Sequence, residues 1–220
     1  MPAPESELNL EAAAVVSAPE AAVSTRKRPR PGERRVQILQ TLASMLEQPG
    51  ADRVTTAALA AKLEVSEAAL YRHFASKAQM FEGLIEFIEG SVFTLLNQII
   101  EREGVSGAVQ AQKIVSVLLQ FGERNPGMTR VMVGDALVYE NERLVARMNQ
   151  FFDRVEAALR QVLRKAAEDN GSTTPTVDAN AQASVLVSFI IGRLQRYARS
   201  GFKRSPIEQM EAALRMLLNP

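Results

Sequence analysis

Between Asn141 and Glu168 apolar residues return every three or four positions: Leu144, Met148, Phe151, Phe152, Val155, Leu159 and Leu163. Such a period lays them along one side of a helix of about eight turns, with charged residues on the other side. A helix that long must be covered by other apolar faces, and the rest of the chain offers helical faces to do it. No stretch alternates with period two between hairpin turns, and no repeat recurs at a fixed interval. The expected fold class is all-α.

The remaining helices can be placed by their punctuation. Val36, Leu39, Leu42, Ala43 and Leu46 mark one face of a helix that Pro49 and Gly50 end. Thr55 or Thr56 caps a short helix carrying Leu59, Ala60 and Leu63, and Ser66 caps another running to Tyr71 or Phe74. Ser76 with Gln79 forms a capping box that opens a long helix from Lys77 to Glu103. Beyond Gly104 and Gly107 come helices over 108–123 and 128–137, divided by Asn125-Pro126-Gly127. After a loop at 169–178, helices over 179–199 and 206–218 follow, the last started by Ser205-Pro206. This gives a head at 32–76 and a helical body at 77–220. Residues 1–31, rich in Ala, Pro, Glu and Ser, read as a disordered tail that ends in the basic run 26-RKRPRP-31.

Charge separates these parts. Residues 1–25 hold four carboxylates and no cation; residues 26–77 hold ten Lys/Arg against five Asp/Glu; residues 78–220 hold sixteen of each. A basic segment beside a neutral body points to a polyanion partner. Cysteine is absent, which excludes disulfides and thiolate metal sites and suits a reducing cytoplasm. The longest apolar run, Val185–Ile191 broken by Ser188, is shorter than the roughly 20 residues a bilayer crossing needs. The chain opens on Glu5, Glu7 and Glu11, unlike a secretory signal.

The two short helices describe a helix-turn-helix, with Ala60, Val65 and Leu70 as its buried positions. The second helix then exposes Ser66, Glu67, Ala68, Ala69 and Tyr71, a tip small enough for a major groove. Thr55, Thr56, Tyr71, Arg72, His73 and Lys77 surround it as donors suited to phosphate oxygens. His73 is the only histidine. Three readings stand for it: a reactive or metal-binding group, a hydrogen-bonded core residue, or an exposed phosphate donor. The first lacks a second histidine or a cysteine to converge on it, so neither an enzyme nor a cofactor is expected.

The run 55-TTAALAAKLEVSEAALYRHFASKAQMFEGLIEFI-88, with its Tyr-x-His-Phe and Ser-Lys-x-x-Met-Phe signatures, resembles the DNA-binding domain of the TetR family. The resemblance implies a three-helix head on an all-α body whose last two helices form a homodimer. It also implies that Thr56, Tyr71, His73 and Lys77 lie at the backbone of double-stranded DNA, with the Ser66 helix at base edges. Glu64 departs from the pattern, because the family places glycine in that turn.

Body segments such as 121-FGERNPGMTRVMVGDALVYENERL-144 and 149-NQFFDRVEAALRQVLRK-165, and less closely 196-RYARSGFKRSP-206, resemble one branch of that family, which acts in nucleoid occlusion. Its members bind chromosomal sites as dimers in the cytoplasm, at the nucleoid, and contact the division protein FtsZ. The resemblance maps that contact to Phe87, Arg124 and Asn125. Read from the residues alone, Phe87 serves equally as core packing and Arg124 as a favourable charge at a helix C-terminus. For self-association the apolar stripe on the last two helices supplies Phe189, Ile190, Leu194, Tyr197 and Leu214, with a purely intramolecular core as the other reading. A ligand-responsive repressor on the same scaffold is the alternative function.

Overall fold

The computed structural model describes residues 32–48 and 54–218; the expected tail, Pro49 and Gly50 lie outside them. Among the described residues every regular element is helical. They are α1 (Glu33–Leu46), α2 (Thr56–Lys62), α3 (Glu67–Tyr71), α4 (Lys77–Ile100), α5 (Gly107–Arg124), α6 (Pro126–Met132), a 3₁₀ turn (Asp135–Leu137), α7 (Glu142–Asp169), α8 (Pro175–Arg199) and α9 (Met210–Leu218).

Local chemistry sets most of the helix starts. The side-chain oxygens of Thr55, Ser66 and Ser76 accept from the N–H groups of Ala58, Ala69 and Gln79 at 3.1, 3.3 and 3.2 Å. Each satisfies one of the free donors at a helix N-terminus. The Ser76 box closes one residue further back than expected, since Gln79 Oε1 accepts from Ala75 N–H at 2.8 Å. At the other end of α4, the buried Gln110 amide donates to the carbonyls of Ile99 and Ile100 at 2.9 and 3.2 Å. A side chain of α5 thus finishes α4.

In α7, Leu144, Met148, Phe151, Phe152, Val155, Leu159 and Leu163 are all buried, joined by Val162. They pack against α4, α5 and α8. Phe93 of α4 meets Phe151 edge-on at 5.4 Å between ring centroids. On the outer side of the α4–α7 seam, Arg147 forks onto Glu89 at 2.6 and 3.2 Å, and Arg143 reaches Glu82 at 2.7 Å. Hydrogen bonding to Glu89 raises the Arg147 pKa further above its ordinary value, partly opposed by desolvation.

Helix α4 is long and apolar enough to cross a membrane by length and composition, which the search for one unbroken apolar run missed. Ten of its residues, from Met80 to Ile99, are buried among the other helices. Its outer face carries Glu82, Glu86 and Glu89, so it is the central core helix.

Four expectations are corrected. In α1 the buried set is Ile38, Leu42, Ala43 and Leu46, while Val36 is 54% exposed. The expected face otherwise holds, with Leu39 packed against the core; its first member is Ile38, and Val36 lies at its exposed edge. The helix expected over 128–137 is split by Gly134, which takes φ +85°. Helix α8 begins four residues early, at Pro175. Ser205-Pro206 forms a turn, and α9 starts only at Met210.

The α2–α3 turn is a Schellman closure. Val65 N–H returns to Ala60 C=O and Glu64 N–H to Ala61 C=O, with Glu64 at φ +55°. A side chain in that left-handed position costs on the order of 1 kcal/mol. Glu64→Gly is therefore expected to raise the melting temperature by about 2–4 °C, checked by thermal unfolding; an unchanged or lower value would show that the glutamate is not strained there.

Candidate nucleic-acid interface

The head presents the N-terminal ends of α2 and α3 side by side. The Thr56 hydroxyl donates to Glu67 Oε2 at 2.6 Å, tying the two ends together. Ser66, Glu67 and Ala68 are exposed and Ala69 is half-buried, while Leu70 is packed inside with Leu59, Ala60 and Phe74. Tyr71, Arg72 and His73 follow on the surface, and Thr55 is exposed at the cap of α2. Among the described residues the side chains of Tyr71, Arg72 and His73 make no hydrogen bond or ion pair, so their donors face solvent. The exposure of His73 removes the core reading.

Two expected donors are occupied. Thr56 is held by Glu67, and the Lys77 ammonium pairs with the Glu140 carboxylate of the segment before α7. The pair is well shielded, with 23% and 10% of the two side chains exposed. Lys77 thereby ties the start of α4 to the segment before α7, and it also lies 5.6 Å from the Phe81 ring. Sequence reading missed Glu140 because the partners are 63 positions apart.

It also missed Arg35. From the first turn of α1, this residue donates to the His73 carbonyl at 2.9 Å and stacks 4.1 Å over Phe74. Helix α1 is thus fixed at the end of α3. The only sequence signal for it was the Arg34-Arg35 pair.

Where head meets body, α6 lies directly on α1. The Arg130 guanidinium reaches the Leu46 carbonyl at 3.4 Å, and Gly127 sits against the Ala43 carbonyl. Desolvation raises the Glu47 pKa above the usual carboxylate range, opposed by a hydrogen bond from the Gly127 backbone and by Lys62. A cleft of about 450 Å³ opens here, with Gln40, Ser44, Leu63 and Glu64 of the head facing Arg124 and Asn125.

The three residues that the resemblance assigned to a partner do not converge in this cleft. Arg124 is exposed at its edge, whereas Phe87 is half-buried on α4 and lines none of it. Asn125 is buried and spends its amide on the Phe121 carbonyl at 2.8 Å. Its side chain shapes the α5–α6 corner.

Most of the self-association stripe is buried within the chain itself. Ile190, Leu194 and Leu214 are fully buried, and Tyr197 is 5% exposed with its hydroxyl on the Glu123 carbonyl at 3.0 Å. All four belong to the chain's own core, because α7 and α5 cover that side of α8. Desolvation, followed by the fields of Glu123 and Glu47, raises the Tyr197 pKa. Phe189 stays half-buried, and Val177, Val185 and Met216 are the large apolar residues exposed on α8 and α9.

An all-α chain with this head, its donors turned outward around a groove-sized helix and its body packed around one long helix, is a TetR-type DNA-binding regulator. Residues 38–84 match the family described as bacterial regulatory proteins, tetR family, and residues 106–220 match an SlmA-like family described as tetracyclin repressor-like, C-terminal domain. The nucleoid occlusion factor SlmA of Photobacterium profundum is 50% identical over 179 residues, 81% of this chain and 90% of that protein. Its counterpart in Salmonella paratyphi B is 51% identical over 182 residues, again 81% and 90%. The chain belongs to the SlmA family. The fatty acid degradation regulator FadR of Bacillus halodurans shares the fold, with a TM-score of 0.72 at 13% identity over 87% of this chain and 97% of that one.

Proposed function

We propose that this protein is a DNA-binding nucleoid occlusion factor. In this reading a dimer grips specific chromosomal sites with two heads, residues 32–76 of each chain, and the DNA-bound protein meets FtsZ and disrupts its assembly over the nucleoid. The observation that carries the reading is half-identity to nucleoid occlusion factors across four-fifths of the chain, body included. Phosphate contacts fall to Thr55, Tyr71, Arg72, His73 and Lys77, and base edges to the start of α3. The side chains of Phe87 and Arg124 supply the FtsZ contact. Two copies meet across Val177, Val185, Phe189 and Met216, whose apolar surface a second copy would cover.

The alternative, a ligand-responsive repressor, needs room for a ligand among the body helices. Ile85, Ile88, Leu118, Val155, Leu159, Leu186 and Ile190 fill that space, each with no exposed surface. Sedimentation of FtsZ polymers with the protein, in the presence and absence of its duplex, tests the reading. Pelletable FtsZ is expected to fall when DNA is present, and to be restored by Arg124→Ala. Undiminished pellets with saturating duplex would overturn it.

A further inference from the structure

The body carries as many cations as carboxylates, yet they are not mixed evenly. No Asp or Glu occurs between Asp178 and Glu208, while Arg193, Arg196, Arg199, Lys203 and Arg204 crowd into twelve positions. A pair of cations at the end of α8 would be accounted for by the helix dipole. Arg204 is not, because the loop that follows brings it back beside Arg193 and Arg196.

That loop is tightly built. Gly201 and Phe202 take φ +62° and +63°, and Phe202 N–H returns to Tyr197 C=O while Gly201 N–H returns to Ala198 C=O. The Ser200 hydroxyl donates to the Tyr197 carbonyl at 2.8 Å and accepts the N–H groups of Lys203 and Arg204 at 3.1 and 2.9 Å. The Phe202 ring closes edge-on against Tyr197 at 5.2 Å. Ser205 then anchors the next residues by donating to Glu123.

The result is a notch of about 180 Å³ lined by Arg193, Arg196, Arg204, Ser205 and Glu208 with Gln209. Arg193 is held in place by the Glu208 carbonyl at 2.6 Å and by the Phe189 ring, 4.9 Å beneath its guanidinium. Among the described residues the side chains of Arg196, Arg199, Lys203 and Arg204 have no hydrogen-bond or ion-pair partner. The carboxylate of Glu208, exposed at the rim, offsets one of the three arginines and leaves the notch positive.

We propose that this notch is a binding site for a carboxylate side chain of an acidic peptide on a partner protein. Planar guanidinium forks match a carboxylate in two-point contact. The concavity decides between polyanions: a duplex offers its phosphates on a convex rod, which a notch of this size does not seat, whereas an extended peptide can lower one side chain into it. This proposal does not rest on the division-inhibitor reading.

Fluorescence anisotropy of a labelled decaglutamate peptide with the full-length dimer tests it, alongside a labelled duplex. Arg196→Gln/Arg204→Gln is expected to weaken the peptide about tenfold or more. Arg160→Gln/Arg164→Gln on α7 removes the same charge elsewhere and should change it less than about twofold. Both variants should keep the parent's melting temperature and duplex affinity. Equal peptide loss in both variants, or no peptide binding by the parent, would overturn the proposal. Loss of duplex affinity in the notch variant alone would reassign the site to nucleic acid.

Discussion

Gly127→Ala is expected to lower the melting temperature by about 6–12 °C, corresponding to about 3 kcal/mol. A methyl group at this position would overlap the Ala43 carbonyl oxygen and lie 2.9 Å from the carbon behind it. Backbone cannot move aside as a flexible side chain can, so α6 must lift from α1. Lifting also strains the bond from Arg130 to the Leu46 carbonyl and the contact of Glu47 with the Gly127 backbone. Gly90→Ala is the matching control. Nothing lies within 4 Å of that added methyl, and it removes a glycine from the interior of α4. It should stabilise by about 0.5–1 kcal/mol. Calorimetry of both variants decides the matter, and a Gly127→Ala melting temperature equal to the parent's would show that the α1–α6 contact yields easily.

The second large effect concerns the Lys77–Glu140 pair. Phosphate and Glu140 compete for one ammonium, so Glu140→Gln should tighten duplex binding by about threefold to tenfold at low salt. Lys77→Ala should do the opposite for every duplex alike and reduce the slope of log affinity against log salt by about 0.9. It should also destabilise the fold by about 1–3 kcal/mol, because Glu140 is left well shielded without its partner. His73→Ala, on an exposed side chain, should share the uniform loss in affinity without the loss in stability. Titrations against cognate and scrambled duplexes over a salt series separate these outcomes. If Glu140→Gln weakens binding, the carboxylate positions Lys77 for DNA and does not compete with it.

The legible parts were those decided within a few residues of chain. Caps at Thr55, Ser66 and Ser76 could be read from residue type, and the face of α7 from spacing alone, because its opposite side is polar. Glu64 stood out against the family pattern, and its φ is indeed positive. Where a helix is covered on several sides, spacing stopped being decisive. The stripe of α8 is apolar around much of its circumference, so its residues could not reveal which side meets α7 and which stays exposed. The first member of the α1 face was misplaced for a related reason, since Ile38 and Val36 are both apolar and only packing chooses between them. At the site, donor types and their order were visible, but their partners were not. Glu140 and Arg35 act across 63 and 38 positions, a distance over which no local pattern carries information. The burial of Asn125 was hidden because the same residue type serves turns, caps and interfaces.

The seating of α6 on α1 has a consequence for how a dimer measures DNA. With α1 fastened to the body through Gly127 and to α3 through Arg35, the reading helix cannot swing freely beneath its subunit. The separation of the two reading helices then becomes a property of the subunit contact, like the jaws of a fixed calliper. Major grooves on one face recur about every 34 Å. A protein built this way grades operators by the length between half-sites as well as by their letters, and an inserted base pair there is as disruptive as a mismatch.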